Sequence, residues 1–96
     1  MIQTPQRIHA IIHGRVQGVG FRAFVQREAL ARGLSGTVHN RYFPRAQVEV
    51  VAEGPEDALR QLLDVLKIGP RLANVERVDV DWEPPTGEFT SFQIGY

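Results

Sequence analysis

The spacing of apolar residues changes along this 96-residue chain, and each change marks a predicted element. Apolar residues alternate over residues 8–12, which predicts a strand of about residues 7–14. The positions between them are also partly apolar, so we expect a central strand rather than an edge strand. Helical spacing follows over residues 21–32, with the apolar residues on one face.

Three further strands and a second helix are predicted in the rest of the chain. Strand alternation predicts strands over about residues 35–41, 47–53 and 75–82, with a hairpin connection at residues 42–46. A second helix opens at Gly54-Pro55, carries a buried leucine stripe and ends at Gly69-Pro70 (the stripe is Leu59, Leu62, Leu63 and Leu66). The tail at residues 92–96 alternates again.

The predicted order is β-α-β-β-α-β, with a possible extra C-terminal edge strand. In so short a chain this order favours an α+β fold, a ferredoxin-like βαββαβ sandwich. Two helices would cover one face of a mainly antiparallel sheet. We expect residues 1–96 to form a single domain, with residues 1–6 as a short N-terminal lead-in.

Composition excludes several classes of function. Eleven basic and eleven acidic residues cancel, which argues against nucleic acid as a partner. The chain has no Cys, so a disulfide framework, a thiolate zinc site and a cysteine nucleophile are excluded. No apolar run approaches the ~20 residues of a membrane span, and the N-terminus does not resemble a signal peptide. We therefore expect a cytoplasmic protein that contacts no membrane.

A glycine-rich loop carries the most informative chemistry. Gly14, Gly18 and Gly20 separate the first strand from the first helix, and Arg22 lies in the first turn of that helix. Backbone amides, a helix N-terminus and a guanidinium together suit a tetrahedral dianion. The alternative is a tight turn whose arginine lies in solvent. The loop does not match the P-loop motif, because no Lys or Ser/Thr follows Gly18 or Gly20. The dinucleotide-binding fingerprint G-x-G-x-x-G/A is matched at residues 18–23, but the next predicted strand does not end in the Asp or Glu that this fingerprint requires.

The sequence resembles the acylphosphatase family at several places in the same order. The run G-R-V-Q-G-V-G-F-R at residues 14–22 is similar to the family signature G-x-V-Q-G-V-x-F-R. Residues 36–40 and 48–54 resemble a second family block. Residues 73–78 and 92–96 also resemble segments of acylphosphatase sequences. The resemblance therefore covers nearly the whole chain and implies a small stand-alone acylphosphatase.

That resemblance implies an enzyme that hydrolyses acyl phosphates to a carboxylate and inorganic phosphate. By the family pattern, Arg22 binds the phosphate together with the loop amides of Gln17, Gly18, Val19, Gly20, Phe21 and Arg22 itself. Asn40 would position the attacking water, so the implied catalytic residues are Arg22 and Asn40. No metal and no organic cofactor are expected. The implied partner is a small-molecule acyl phosphate, and the chain is expected to act as a monomer.

Several departures from the family pattern concern the region around Asn40. Thr37 stands where the family usually has an aromatic residue, and His39 where it has a basic one. The connection after Asn40 is about two residues longer than usual and lacks the customary turn glycine. A non-catalytic phosphate-binding module is therefore kept as an alternative. An RNA-recognition module is disfavoured, because the central strands carry no stacking aromatics.

The spacing of the three histidines bears on metal binding. His9 and His13 share one face of the first predicted strand, and His39 lies on another strand. Two strand residues four apart are separated by ~13 Å, which is too far for both to bind one ion. We therefore expect ordinary packing or surface histidines.

Overall fold

The computed structural model describes residues 4–95, and it contains five strands and two helices in that range. In chain order they are β1 (Pro5–Arg15), α1 (Phe21–Ala31), β2 (Ser35–Arg41), β3 (Gln47–Pro55), α2 (Glu56–Ile68), β4 (Asn74–Glu83) and β5 (Phe92–Ile94). The sequence pattern predicts every one of these elements to within a few residues. The largest difference at the N-terminal side is that β1 begins at Pro5, inside the predicted lead-in, where it pairs with Pro55 of β3. Residues 1–3 of that lead-in and residue 96 of the predicted tail lie outside the described residues.

The strands form one mixed sheet in the order β4-β1-β3-β2-β5. β1 lies between β3 and β4 and is antiparallel to both, which confirms the prediction of a central strand. β2 pairs antiparallel with β3, and the short β5 adds a parallel edge next to β2. This order confirms the predicted ferredoxin-like α+β fold.

The hydrophobic core lies between one face of this sheet and the two helices. On the strands it is formed by the alternating residues of β1 and β3, among them Ile8, Ile12 and Val50, each fully buried. The predicted leucine stripe of α2 covers this face, and Leu62 is also fully buried. Burial of one such side chain contributes roughly 1.5–3 kcal/mol. Neither helix in the described part of the chain is long and apolar enough to cross a membrane.

Candidate active site

The loop between β1 and α1 is fixed at both ends by buried side chains. Val16 before the loop is 1% exposed, and Phe21 after it is 2% exposed. Between these anchors, Gly18 and Gly20 have φ values of +71° and +76°. L-residues rarely adopt this left-handed conformation, so the turn requires glycine at both positions. The two glycines therefore form the turn that leads the chain from β1 into α1.

The N-terminus of α1 lies at the end of this loop. Gly20 is the N-cap residue and supplies no side-chain hydrogen bond. The first helical hydrogen bond runs from the Phe24 amide to the Gly20 carbonyl at 3.1 Å. The amides of residues 21–23 precede it and have no acceptor inside the helix. They carry the partial positive charge of the helix N-terminus.

A pocket of about 190 Å³ lies at this helix N-terminus. It is lined by Val16, Gly18, Gly20, Phe21, Arg22, Ala23, Asn40 and Ile94. The guanidinium of Arg22 is held at the pocket by a hydrogen bond from its Nη1 to the Gly95 carbonyl, at 3.2 Å. A fixed positive charge and a helix N-terminus therefore meet at one concave surface, and this arrangement favours an anion.

Asn40 reaches the same pocket from the sheet. It lies near the end of β2, where it pairs with Val48 of β3. Its side-chain oxygen Oδ1 is buried and has no hydrogen-bond partner among the described residues. A buried acceptor without a donor costs about 1–3 kcal/mol, so its presence calls for an explanation.

The structure brings most of the predicted site residues together. Arg22 and Asn40 line one pocket, as do three of the residues whose amides are expected to bind phosphate (Gly18, Gly20 and Phe21). The other two, Gln17 and Val19, are not among the lining residues. Val19 packs against the hydrophobic core. The side chain of Gln17 donates to the carbonyls of Arg41 and Gln47.

The two residues that depart from the family pattern on β2 contact each other. Thr37 Oγ1 and His39 Nε2 are 3.0 Å apart, within hydrogen-bond distance.

The other two histidines each pair with a carboxylate. His9 Nε2 lies 2.5 Å from a carboxylate oxygen of Glu49. His13 Nε2 lies 2.8 Å from a carboxylate oxygen of Asp79 on β4. Within residues 4–95, no three His, Asp or Glu side chains form a group that could hold a metal ion.

A buried carboxylate positions the connection that leads into β5. Glu53 accepts hydrogen bonds from the amide and hydroxyl of Thr86, both at 2.9 Å, and from the Gly87 amide at 3.0 Å. Arg7 Nη1 adds an ion pair to Glu53 at 2.8 Å. Because β5 carries Ile94 to the pocket, this cluster supports one wall of the site from a distance.

The same contacts set the ionisation of the cluster. Burial raises the pKa of the Glu53 carboxyl, but the hydrogen bonds from the two amides, from Arg7 and from the Thr86 hydroxyl outweigh burial. The net effect lowers the pKa of Glu53 from 4.5 to about 2. Glu53 in turn raises the pKa of Arg7 above its ordinary value. On β4, hydrogen bonding from Arg77 lowers the pKa of the exposed Asp79.

Sequence reasoning missed the contribution of the C-terminal strand to the pocket. Ile94 lines the pocket, and the carbonyl of Gly95 accepts the hydrogen bond from Arg22. The alternation of residues 92–96 indicates a strand, but no signal in the sequence says that it pairs in parallel with β2. The side-chain contacts of Gln17 were missed for the same reason, because they depend on which loops meet in space.

Comparison with known proteins agrees with this architecture. The sequence model of the acylphosphatase family matches residues 8–94. The chain is 56% identical to an acylphosphatase of Thermus thermophilus over 81 residues, which are 84% of this chain and 90% of the relative. It is 45% identical to an acylphosphatase of Salinibacter ruber over 91 residues, covering 95% and 94% of the two chains.

Solved structures give the same result. The crystal structure of acylphosphatase from Bacillus subtilis superposes with a TM-score of 0.89 at 41% identity, over 95% of this chain and 99% of that chain. Full-length HypF, in a phosphate- and nucleotide-bound form, matches all of this chain with 12% of its own length, at 28% identity and a TM-score of 0.89. The chain therefore belongs to the acylphosphatase family and is an acylphosphatase enzyme.

Proposed function

We propose that the enzyme hydrolyses acyl phosphates without a metal ion, with the phosphate bound by Arg22 and the loop amides of residues 17–22. Asn40 positions the attacking water. One observation carries this proposal: Arg22, the N-terminus of α1 and Asn40, whose side-chain oxygen has no hydrogen-bond partner among the described residues, line a single pocket. The proposal rests on the family of the chain for its reaction and on this pocket for its residues.

The phosphate end of the substrate fits the positive side of the pocket. Its non-bridging oxygens accept hydrogen bonds from backbone amides, and the guanidinium of Arg22 adds two parallel donors. These donors are fixed before the substrate arrives, because the loop is anchored by Val16 and Phe21 and Arg22 is held by the Gly95 carbonyl. Preorganised donors of this kind stabilise charge that develops on the phosphoryl group during transfer.

The buried oxygen of Asn40 suits a water molecule as its partner. A water that donates one hydrogen to Oδ1 keeps a lone pair of electrons free to attack phosphorus. The water oxygen forms a bond to phosphorus while the bond from phosphorus to the acyl oxygen breaks. One water proton goes to a phosphate oxygen, and the products are a carboxylate and inorganic phosphate. Orientation of a reactant in this way lowers the barrier without a change of charge on the residue.

The leaving group explains why neither a metal nor a strong general acid is required. A carboxylic acid has a pKa of about 4, so the carboxylate departs without protonation at neutral pH. The remaining tasks are positioning and charge stabilisation, and the pocket contains groups for both. No histidine or carboxylate is assigned a role as a base, because the bound phosphate itself takes the proton.

Hydrolysis of benzoyl phosphate by the purified protein, with a chelator present, tests this proposal. Arg22→Ala is expected to abolish phosphate binding and lower kcat/KM by about 10²–10³-fold or more, the usual cost of one lost donor at a developing charge. Asn40→Ala is expected to reduce kcat similarly while inorganic phosphate still inhibits. Matched controls are Arg27→Ala, an exposed arginine of the same helix, and Asn74→Ala at the exposed start of β4.

Each outcome bears on a different part of the proposal. Turnover that is lost with the chelator and restored by a divalent cation would overturn the metal-free mechanism. Near wild-type activity of Arg22→Ala or Asn40→Ala would overturn the role assigned to that residue. Saturable phosphate binding that depends on Arg22, without turnover in the unmodified protein, would favour the non-catalytic binding module instead.

A further inference from the structure

The side chain of Gln17 forms a cross-link between the loop that follows β1 and the two ends of the connection between β2 and β3. Its amide nitrogen Nε2 lies 2.6 Å from the carbonyl oxygen of Arg41 and 2.9 Å from that of Gln47. A primary amide has two N–H donors, so both are used in these two hydrogen bonds. Because both partners are carbonyl acceptors, the side-chain nitrogen rather than its oxygen must face them.

The two carbonyls mark the two ends of the β2–β3 connection, residues 42–46. Arg41 is the last residue of β2, Gln47 is the first residue of β3, and the two are cross-strand partners. Asn40 directly precedes Arg41. The Gln17 amide therefore joins the loop that we propose binds phosphate (the phosphate loop, residues 17–22) to the end of the strand that carries Asn40.

The β2–β3 connection has little apolar packing of its own. Tyr42 is 64% exposed and Phe43 is 84% exposed, so neither side chain anchors the connection in the core. Segments with few buried apolar contacts unfold locally at low free-energy cost. Hydrogen bonds to the rest of the protein then determine the position of such a segment.

We propose that Gln17 is a positioning residue, whose side chain holds the β2–β3 connection and Asn40 in register with the phosphate loop. Its side chain touches neither phosphate nor water. It fixes the distance between the group that binds phosphate and the group that orients the water. This inference rests on the roles proposed above for Arg22 and Asn40.

A residue that acts in this way affects turnover and phosphate binding differently. The loop amides and Arg22 are held by Val16, Phe21 and the Gly95 carbonyl, so they remain in place when the Gln17 cross-link is removed. Asn40 loses its alignment, and misplacement by about 1 Å can cost on the order of 10²-fold in rate. The expected signature is a fall in kcat with nearly unchanged inhibition by inorganic phosphate.

Gln17→Met is the test variant, because methionine matches glutamine in length and lacks the amide donors. We expect kcat on benzoyl phosphate to fall roughly 10- to 100-fold. Gln26→Met is the matched control: Gln26 also donates from its amide to a backbone carbonyl, that of Phe92 at 3.0 Å, but does not touch the connection. It should lose stability and keep kcat. Gln17→Glu, which places an acceptor against two carbonyls, should lower kcat at least as far as Gln17→Met.

A double-mutant cycle with Asn40→Ala separates this inference from the proposed function. If Gln17 acts through Asn40, Gln17→Met has no further effect on kcat in the Asn40→Ala background. An equal loss in both backgrounds, or weaker phosphate inhibition in Gln17→Met, would show that Gln17 supports the phosphate loop and would overturn the inference. Unchanged kcat in folded Gln17→Met would also overturn it. Full activity of Asn40→Ala alone would instead refute the role of Asn40.

Discussion

Replacement of Glu53 by glutamine changes the charge of a buried carboxyl group without changing its size. In the folded protein this carboxylate accepts hydrogen bonds from Thr86 and Gly87 and pairs with Arg7, while it is only 5% exposed. Glutamine retains one acceptor oxygen and turns an NH₂ group toward the other donors. Glu53→Gln therefore removes the charge that these donors stabilise.

The size of the effect follows from the pKa of Glu53. The folded-state pKa of about 2 lies below the ordinary value of 4.5, so folding favours the ionised form. At about 1.36 kcal/mol for each pKa unit, the difference corresponds to roughly 3 kcal/mol of folding stability at neutral pH. This contribution is fully present above pH 4.5 and is lost as the pH falls through about 2. In a chain of this length it corresponds to roughly 12 °C or more in Tm.

Urea unfolding of the wild type and Glu53→Gln, measured at several pH values between 7 and 2, tests this reasoning. The difference in unfolding free energy should be about 3 kcal/mol at pH 7 and should shrink toward pH 2. Glu83→Gln is the control, because Glu83 also pairs with Arg7 but its side chain is 40% exposed. Its cost should stay below about 1 kcal/mol. A Glu53→Gln difference that is small at pH 7, or constant with pH, would refute the argument.

Two further predictions concern packing. Gly36→Ala should lower the unfolding free energy by more than about 4 kcal/mol or prevent folding, since the added Cβ would lie 1.9 Å from the Val51 carbonyl oxygen. Gly33→Ala, where the space is open, should cost only about 1–2 kcal/mol; equal losses would contradict the steric reason. Leu62→Ala should cost about 2–5 kcal/mol in urea unfolding and leave kcat on benzoyl phosphate unchanged in the folded fraction. A neutral Leu62→Ala would contradict the assigned core.

The elements were predictable from sequence because each one has a face to bury. Alternation at Ile8, Ala10 and Ile12 and the leucine stripe of α2 are local patterns, and the structure buries those same residues. The ends of the elements were predicted less exactly, because the length of a strand depends on how far the neighbouring strand pairs with it. β3 continues to Pro55, where it still pairs with Pro5, although the pattern predicts the turn into α2 from Gly54 onward.

The composition of the pocket was predictable only in part. The glycine pattern and Arg22 are encoded within one short segment, so their proximity follows from chain connectivity. Asn40 required the family resemblance, because its distance from Arg22 depends on how β2 enters the sheet. Gly95 and the destination of the Gln17 side chain depend on contacts between distant segments, which no periodic pattern in the sequence records.

The pairing of β5 with β2 has a practical consequence for work on this enzyme. Ile94 forms part of the pocket wall, and the Gly95 carbonyl accepts a hydrogen bond from Arg22. A substitution that weakens the pairing of β5 with β2 therefore moves two groups of the pocket, although it lies on neither the glycine-rich loop nor α1. Activity measured on variants of β5 thus reports on the pocket as well as on the sheet.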